Sequence, residues 1–192
     1  MEIVKYPHPT LRHKSKPLQK VDAELRQVIA KMFELMYEAK GVGLAANQVD
    51  LPYRLFVVNL GGERGEDEEL VFIKTVISSP KSPEESDEGC LSLPGLYAPV
   101  RRPGSVVVSA FNLSGEQIQW ELNGLLSRVV QHETDHLDGV LFIDRISETA
   151  GMSVRDEIDE FKRQFEQARK SGGMPSDQEI DERLAELEKV YC

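Results

Sequence analysis

Apolar residues recur along this chain in two periods, and each period predicts its own kind of element. Leu25, Val28, Ile29, Met32, Phe33 and Met36 have the three- and four-residue spacing of one helix face. Asp22 stands where an N-cap belongs, and Gly41 is the expected C-terminal cap. Beyond the Gly41–Gln48 segment the pattern reads as strands over Tyr53–Leu60 and Leu70–Ile77, separated by an acidic turn from Gly61 to Glu69. Residues 78–87 are rich in Ser, Pro and Glu and are expected to form a loop. Two further strands are predicted near Ser105–Asn112 and Gln117–Leu122, joined through Ser114-Gly115. After Asn123-Gly124, a helix is framed by Leu125, Leu126, Val129, Val130, Leu137, Val140 and Leu141, enough apolar surface to require burial. The expected class is α+β, with antiparallel strands packed around this central helix and a C-terminal helical extension.

The character changes after Ile146. Helical spacing continues through Val154, Ile158, Phe161 and Phe165, and Ser171-Gly172-Gly173-Met174-Pro175 breaks it. Ser176 and Glu179 then form a capping-box pattern that opens a last helix with Ile180, Leu184, Leu187 and Tyr191. We expect a catalytic unit over 1–146 and an acidic extension over 147–192. The extension is expected to be a helix folded back on the domain followed by a mobile stretch, rather than a docking surface. No internal repeat is found.

Composition narrows the function classes. The chain has 192 residues, 40% hydrophobic and 29% charged, which suits a soluble domain with a real core. Its net charge of −10 argues against broad binding to nucleic acid or anionic membrane. The tail's 7 basic and 12 acidic residues make direct RNA binding there a poor expectation. No apolar run approaches a membrane span. Lys5, Pro7 and Pro9 interrupt the stretch where a signal peptide's apolar core would lie. Cys90 and Cys192 are the only cysteines, which fits a reducing compartment; we expect a cytoplasmic protein.

The chemistry lies in the central helix. The chain's four histidines include both ends of His132-Glu133-Thr134-Asp135-His136. Residues four apart on a helix share a face, so both imidazoles can reach one metal ion, while Glu133 is left to serve a water molecule. A buried helix carrying two histidines and a glutamate needs partners for them, and a metal ion supplies some. A metzincin third ligand would fall on Phe142 and is excluded. A carboxylate remains open as third ligand. The sharper candidate is Cys90, within Glu88-Gly89-Cys90-Leu91-Ser92-Leu93-Pro94-Gly95. Gly41-Val42-Gly43-Leu44-Ala45-Ala46 also satisfies a dinucleotide-binding pattern, but a helix precedes it and a strand follows, the reverse of what that fold needs.

Taken in order, Gly41-Val42-Gly43-Leu44-Ala45-Ala46-Asn47-Gln48, Glu88-Gly89-Cys90-Leu91-Ser92 and Gln131-His132-Glu133-Thr134-Asp135-His136-Leu137 resemble the three motifs of peptide deformylases. The likeness runs from Ile3 to about Ile146. Two positions depart from it: Lys74-Thr75 stands where the family commonly has Asn-Pro, and Asn47 where many members have proline. The resemblance implies removal of the formyl group from the N-terminal formylmethionine of nascent polypeptides, in bacterial fashion, with release of formate. It implies Cys90, His132 and His136 as metal ligands, Glu133 as proton carrier, and Gln48 with the backbone N–H of Leu91 as oxyanion donors. It also implies ferrous iron in the cell, with zinc, nickel or cobalt as alternatives.

Physical fit extends these roles to the substrate. Gly43 and Leu44 are candidates to pair with an extended peptide, and Val42, Leu125 and Val129 to receive the methionine side chain. Asp135 and Gln131 are candidates to orient the ligands. The partners expected are formylated nascent peptides, with transient proximity to the ribosome and no membrane. Competing readings are a zincin-type peptidase with an acidic third ligand, and a silent metal-stabilised interaction module. Glu133 speaks against the second, since a structural site has no use for a base.

Overall fold

The computed structural model describes residues 1–192. Five strands form one antiparallel sheet in chain order: β1 (Gly43–Ala45), β2 (Leu55–Val58), β3 (Leu70–Cys90), β4 (Leu93–Phe111) and β5 (Gln117–Asn123). Helix α1 (Ala23–Glu38) covers one face of β1 and β2, and α2 (Gly124–Leu137) covers the other. The run Leu55-Phe56-Val57-Val58 shows why. Leu55 and Val57 join the core with α1, Phe56 and Val58 join the core with α2, and a strand buried on both faces has no polar alternation. The α+β class is as expected, and α2 is the central helix.

Three local expectations are corrected. Asp22 does cap α1, its carboxylate accepting from Leu25 N–H at 3.0 Å, but the helix ends at Glu38. Lys40, not Gly41, takes the left-handed conformation there (φ 56°). Gly41 answers to a contact instead: a Cβ on it would lie 2.6 Å from Leu91 Cδ1.

Residues 78–87 are not a loop. They continue β3, paired with β4 from Ser78 with Val107 to Asp87 with Pro99. This hairpin arm stands in solvent, so its side chains need no apolar alternation. Register shifts between Ile73 and Val76 and between Ser78 and Lys81 absorb the left-handed Lys74 and Ser79 and the proline at 80.

The third correction concerns the tail, which forms α3 (Glu148–Ser153), α4 (Arg155–Lys170) and α5 (Asp177–Tyr191). The capping box of Ser176 and Glu179 opens α5. That last helix is packed rather than free. Ile180 and Leu184 are buried, and Tyr191 enters the α1 core against Tyr53. His13 Nε2 lies 2.7 Å from Glu188 Oε1, and Tyr191 donates its hydroxyl to Asp22 at 3.1 Å. No helix is long and apolar enough to cross a membrane.

Candidate metal centre and active site

Helical geometry sets the first two groups. His132 and His136 lie one turn apart on α2, with ring centroids 4.9 Å apart. Cys90 ends β3 at the tight turn into β4, where it pairs with Leu93. The turn brings its Sγ to 3.2 Å from Nε2 of His136. One ligand atom from each of Cys90, His132 and His136 lies within 4.8 Å of the others. Ligands about 2.0 Å and 2.3 Å from a tetrahedral ion stand roughly 3.5 Å apart, so the trio has the right scale. One thiolate and two imidazoles leave a position open, the catalytic rather than the structural arrangement.

The outer partners of this trio reinforce the fit. His132 Nδ1 lies 3.1 Å from Glu88 Oε2, which turns Nε2 toward the site. Glu88 is buried, and burial alone would raise its pKa. Hydrogen bonds from His132 and Arg102 outweigh that and hold it down at about 2. Arg102 grips it with bonds of 2.6 and 2.9 Å, and Arg128 adds one of 2.7 Å. The imidazoles are poised differently. Burial drives the pKa of His136 well down, which keeps it neutral as a ligand must be. Burial also opposes charge on His132, but hydrogen bonds to Cys90 and Glu88 outweigh it and lift the value to about 10. The pocket between Cys90 and Glu88 therefore favours positive charge, which a cation supplies.

Glu133 faces the cleft from the next position on α2. Burial raises its pKa to about 7, within reach of a group that takes and returns a proton at neutral pH. Its Oε2 is buried with no hydrogen-bond partner in the protein. Gln48 sits in the short 3-10 turn Ala46–Val49 after β1. Its Oε1 accepts from Ala45 N–H at 2.9 Å, which turns Nε2 toward Ser92 Oγ at 3.2 Å and Cys90 Sγ at 3.4 Å.

These groups open onto a cleft of about 660 Å³ lined by Val42, Gly43, Gln48, Cys90, Leu91, Leu125, Val129, His132 and Glu133, among others. Leu125 is 56% exposed there, so it is not core. Leu44 does not line the cleft; its side chain is fully buried in the α1 core. β1 is an edge strand beside the cleft, and Gly43 is so close to Glu133 that a Cβ would lie 2.5 Å from Oε1.

The structure places other residues where spacing gave no hint. Asp135 is buried, but it pairs with Arg102 at 2.7 Å and with Arg145, not with a histidine. Gln131 donates to Pro103 O and to Ser127. Glu88 was visible only as a neighbour of Cys90, while Arg102 and Arg128 carried no signal because β3, β4 and α2 bring them together. Asn47, at one departure from the family pattern, is buried and donates to the backbone carbonyl of His136.

A family model for polypeptide deformylase matches residues 1–151. The chain belongs to the polypeptide deformylase family. It is 46% identical to the peptide deformylase of Rhodopirellula baltica over 191 residues, covering 100% of this chain and 95% of that one, so the likeness includes the tail. It is 40% identical over 189 residues to the chloroplastic/mitochondrial peptide deformylase 1B of Arabidopsis thaliana, covering 95% of this chain and 66% of that protein. Among solved structures, the Arabidopsis thaliana enzyme bound to an inhibitor superimposes with a TM-score of 0.84 at 42% identity, covering 92% of this chain and 97% of that one. The Thermotoga maritima enzyme superimposes with a TM-score of 0.72 at 40% identity, covering 76% and 97%. Membership makes the chain a metal-dependent hydrolase that removes the N-formyl group from nascent peptides.

Proposed function

We propose that one divalent ion held by Cys90, His132 and His136 is the deformylating centre, and that Glu133, Gln48 and Leu91 carry the reaction around it. The convergence of a thiol and two imidazoles within 4.8 Å on the cleft wall supports this most directly. Such an ion, when bound, acts as a Lewis acid and eases ionisation of water. Glu133 accepts the proton of the attacking water and returns it to the departing amine, a double role suited to a carboxyl with pKa about 7. Gln48 Nε2 and the Leu91 backbone N–H donate to the oxygen on which negative charge develops. Gln48 is fixed beforehand by its bond from Ala45, and Leu91 lies in the two-residue turn between Cys90 and Leu93.

The free edge of β1 supports a peptide laid beside Gly43 and Leu44, whose backbones, not side chains, would meet it. Val42, Leu125 and Val129 line the cleft as the apolar surface for methionine. We read 1–146 as the catalytic unit and 147–192 as an extension that braces it. For the ion we favour ferrous iron in a reducing, bacterial-type cytoplasm, with zinc, nickel and cobalt also suited to the donor set. Ribosome contact would be transient, since a net charge of −10 does not favour RNA.

The deciding test measures formate release from a formyl-methionyl peptide by anaerobically purified protein of known metal content. Turnover at about one ion per chain, lost on replacing Cys90 by alanine together with the ion, is expected. Ion retention in Cys90→Ala would return the site to a zincin-type carboxylate ligand set. Equal turnover in aerobic zinc-loaded and anaerobic iron-loaded protein would overturn the iron assignment.

A further inference from the structure

Three consecutive residues near the N-terminus each reach a different part of the site. Val4 N–H donates to Gln48 O at 2.8 Å, and Tyr6 N–H donates to Ser92 O at 2.9 Å. Between them Lys5 extends along the rim of the cleft and donates from Nζ to Leu91 O at 2.7 Å. That carbonyl shares its peptide unit with the Ser92 N–H, which is directed at Cys90 Sγ at 3.4 Å. Ser92 is fully buried, so its N–H has no water to bond in place of the sulfur. A cation on the carbonyl end of a peptide polarises the unit and makes the N–H at its other end a stronger donor.

We propose that Lys5 is a positioning residue for the metal centre, acting through the Leu91–Ser92 peptide to strengthen the N–H···S bond to Cys90 and so to restrain the charge the thiolate donates to the ion. The inference rests on Cys90 being a ligand, as read above. A less donating thiolate leaves the ion a stronger Lewis acid. Lys5 touches neither the reacting atoms nor the ion. Its ammonium is exposed and screened, so its effect stays below the loss of about 10–100-fold seen when a ligand's direct partner is removed. A fall in kcat of about three- to tenfold is expected.

The test uses the full chain loaded with cobalt(II), comparing wild type with Lys5→Met, which keeps the stem without the charge, and Lys5→Arg, which keeps a charged donor. In Lys5→Met the thiolate-to-cobalt charge-transfer band should move to longer wavelength, because a sulfur relieved of its hydrogen bond gives up charge more easily. The value of kcat should fall with KM essentially unchanged, and Lys5→Arg should restore both readings. A band that does not move in Lys5→Met overturns the inference, even if the melting temperature falls. A change confined to KM also overturns it and makes Lys5 a substrate contact. No charge-transfer band in the wild type would overturn the Cys90 ligand reading, and this inference with it.

Discussion

Arg102 holds Glu88 through two parallel hydrogen bonds, Nε to Oε1 at 2.6 Å and Nη2 to Oε2 at 2.9 Å, on the Nδ1 side of the His132 ring. Both side chains are almost completely buried. Removing one partner of such a pair strands the other's charge, at a cost of about 3–5 kcal/mol. Arg102→Met should lie at the low end, since Arg128 still reaches Glu88 and Arg145 still reaches Asp135. Denaturant unfolding would show this as a fall in midpoint. Chelator competition should show weaker metal retention, because Glu88 would fix the His132 ring less firmly.

The same carboxylate gives the protein an acid-sensitive term. The folded pKa of Glu88 is about 2 against an ordinary value of 4.5, so its contribution is fully present above about pH 4.5. It fades as pH falls from there toward 2. Asp144 adds in the same direction: burial alone would raise its pKa, but its bonds from Arg12 and Leu141 N–H outweigh burial and lower it. Melting temperature should therefore fall steeply below pH 4.5, and Glu88→Gln should flatten that slope while lowering the neutral-pH value. An unchanged slope in Glu88→Gln would place the acid sensitivity elsewhere.

The parts legible in the sequence were those written in local spacing. The i, i+4 pair of His132 and His136 needs only one helix, and the apolar stretch Tyr53–Leu60 announces a strand. Cys90 came from its motif, since a lone cysteine has no periodicity to read. What escaped depends on parts of the chain that meet only after folding. Gly41 looked like a helix cap because its contact with Leu91 lies fifty residues away. Residues 78–87 looked like a loop because the solvated β3–β4 hairpin gives them no buried face. Lys5 was readable only as a charge that interrupts the N-terminal apolar stretch, and no window of sequence joins it to Leu91.

Glu133→Gln separates proton transfer from metal binding. The three proposed ligand atoms come from other residues, so metal content should be unchanged. Glutamine cannot carry the proton, and turnover should fall by about 10²–10⁴-fold. Formate release and metal analysis on one preparation decide it. Retained turnover would remove Glu133 from the mechanism.

Gly43→Ala tests the closeness of β1 to Glu133, the proposed base. The added Cβ would lie 2.5 Å from Glu133 Oε1 and 2.9 Å from Val129 Cγ1, so Glu133 must move. Overpacking of this kind costs about 1–3 kcal/mol, leaving the domain folded. A displaced base is worse for chemistry than for stability, and kcat/KM should drop by about 10²-fold. Circular dichroism and metal content should match wild type. Full activity would mean the strand edge yields without disturbing Glu133.

Arg183 ties the tail to the turn that holds Gln48. The turn that holds Gln48 ends at Asp50, a left-handed residue with φ 66°. Its carboxylate accepts from Thr10 Oγ1 and pairs with Arg183, whose Nη1 also donates to Asp50 O at 3.1 Å. Arg183 lies on α5, beyond the stretch matched by the family model. The ion pair is about a third exposed, so its direct contribution to stability is modest, about 1 kcal/mol or less. Its larger effect should be on how firmly Asp50 anchors the turn, and hence where Gln48 Nε2 points. Arg183→Ala is expected to lower kcat several-fold with little change in KM, and Arg183→Lys to recover part of it. Glu188→Ala is the comparison, since it loosens the same helix through His13 without touching the turn. It should lower melting temperature but leave kcat intact. If both variants lose the same kcat, α5 acts only as ballast for the fold, and the link from Arg183 to Gln48 is broken.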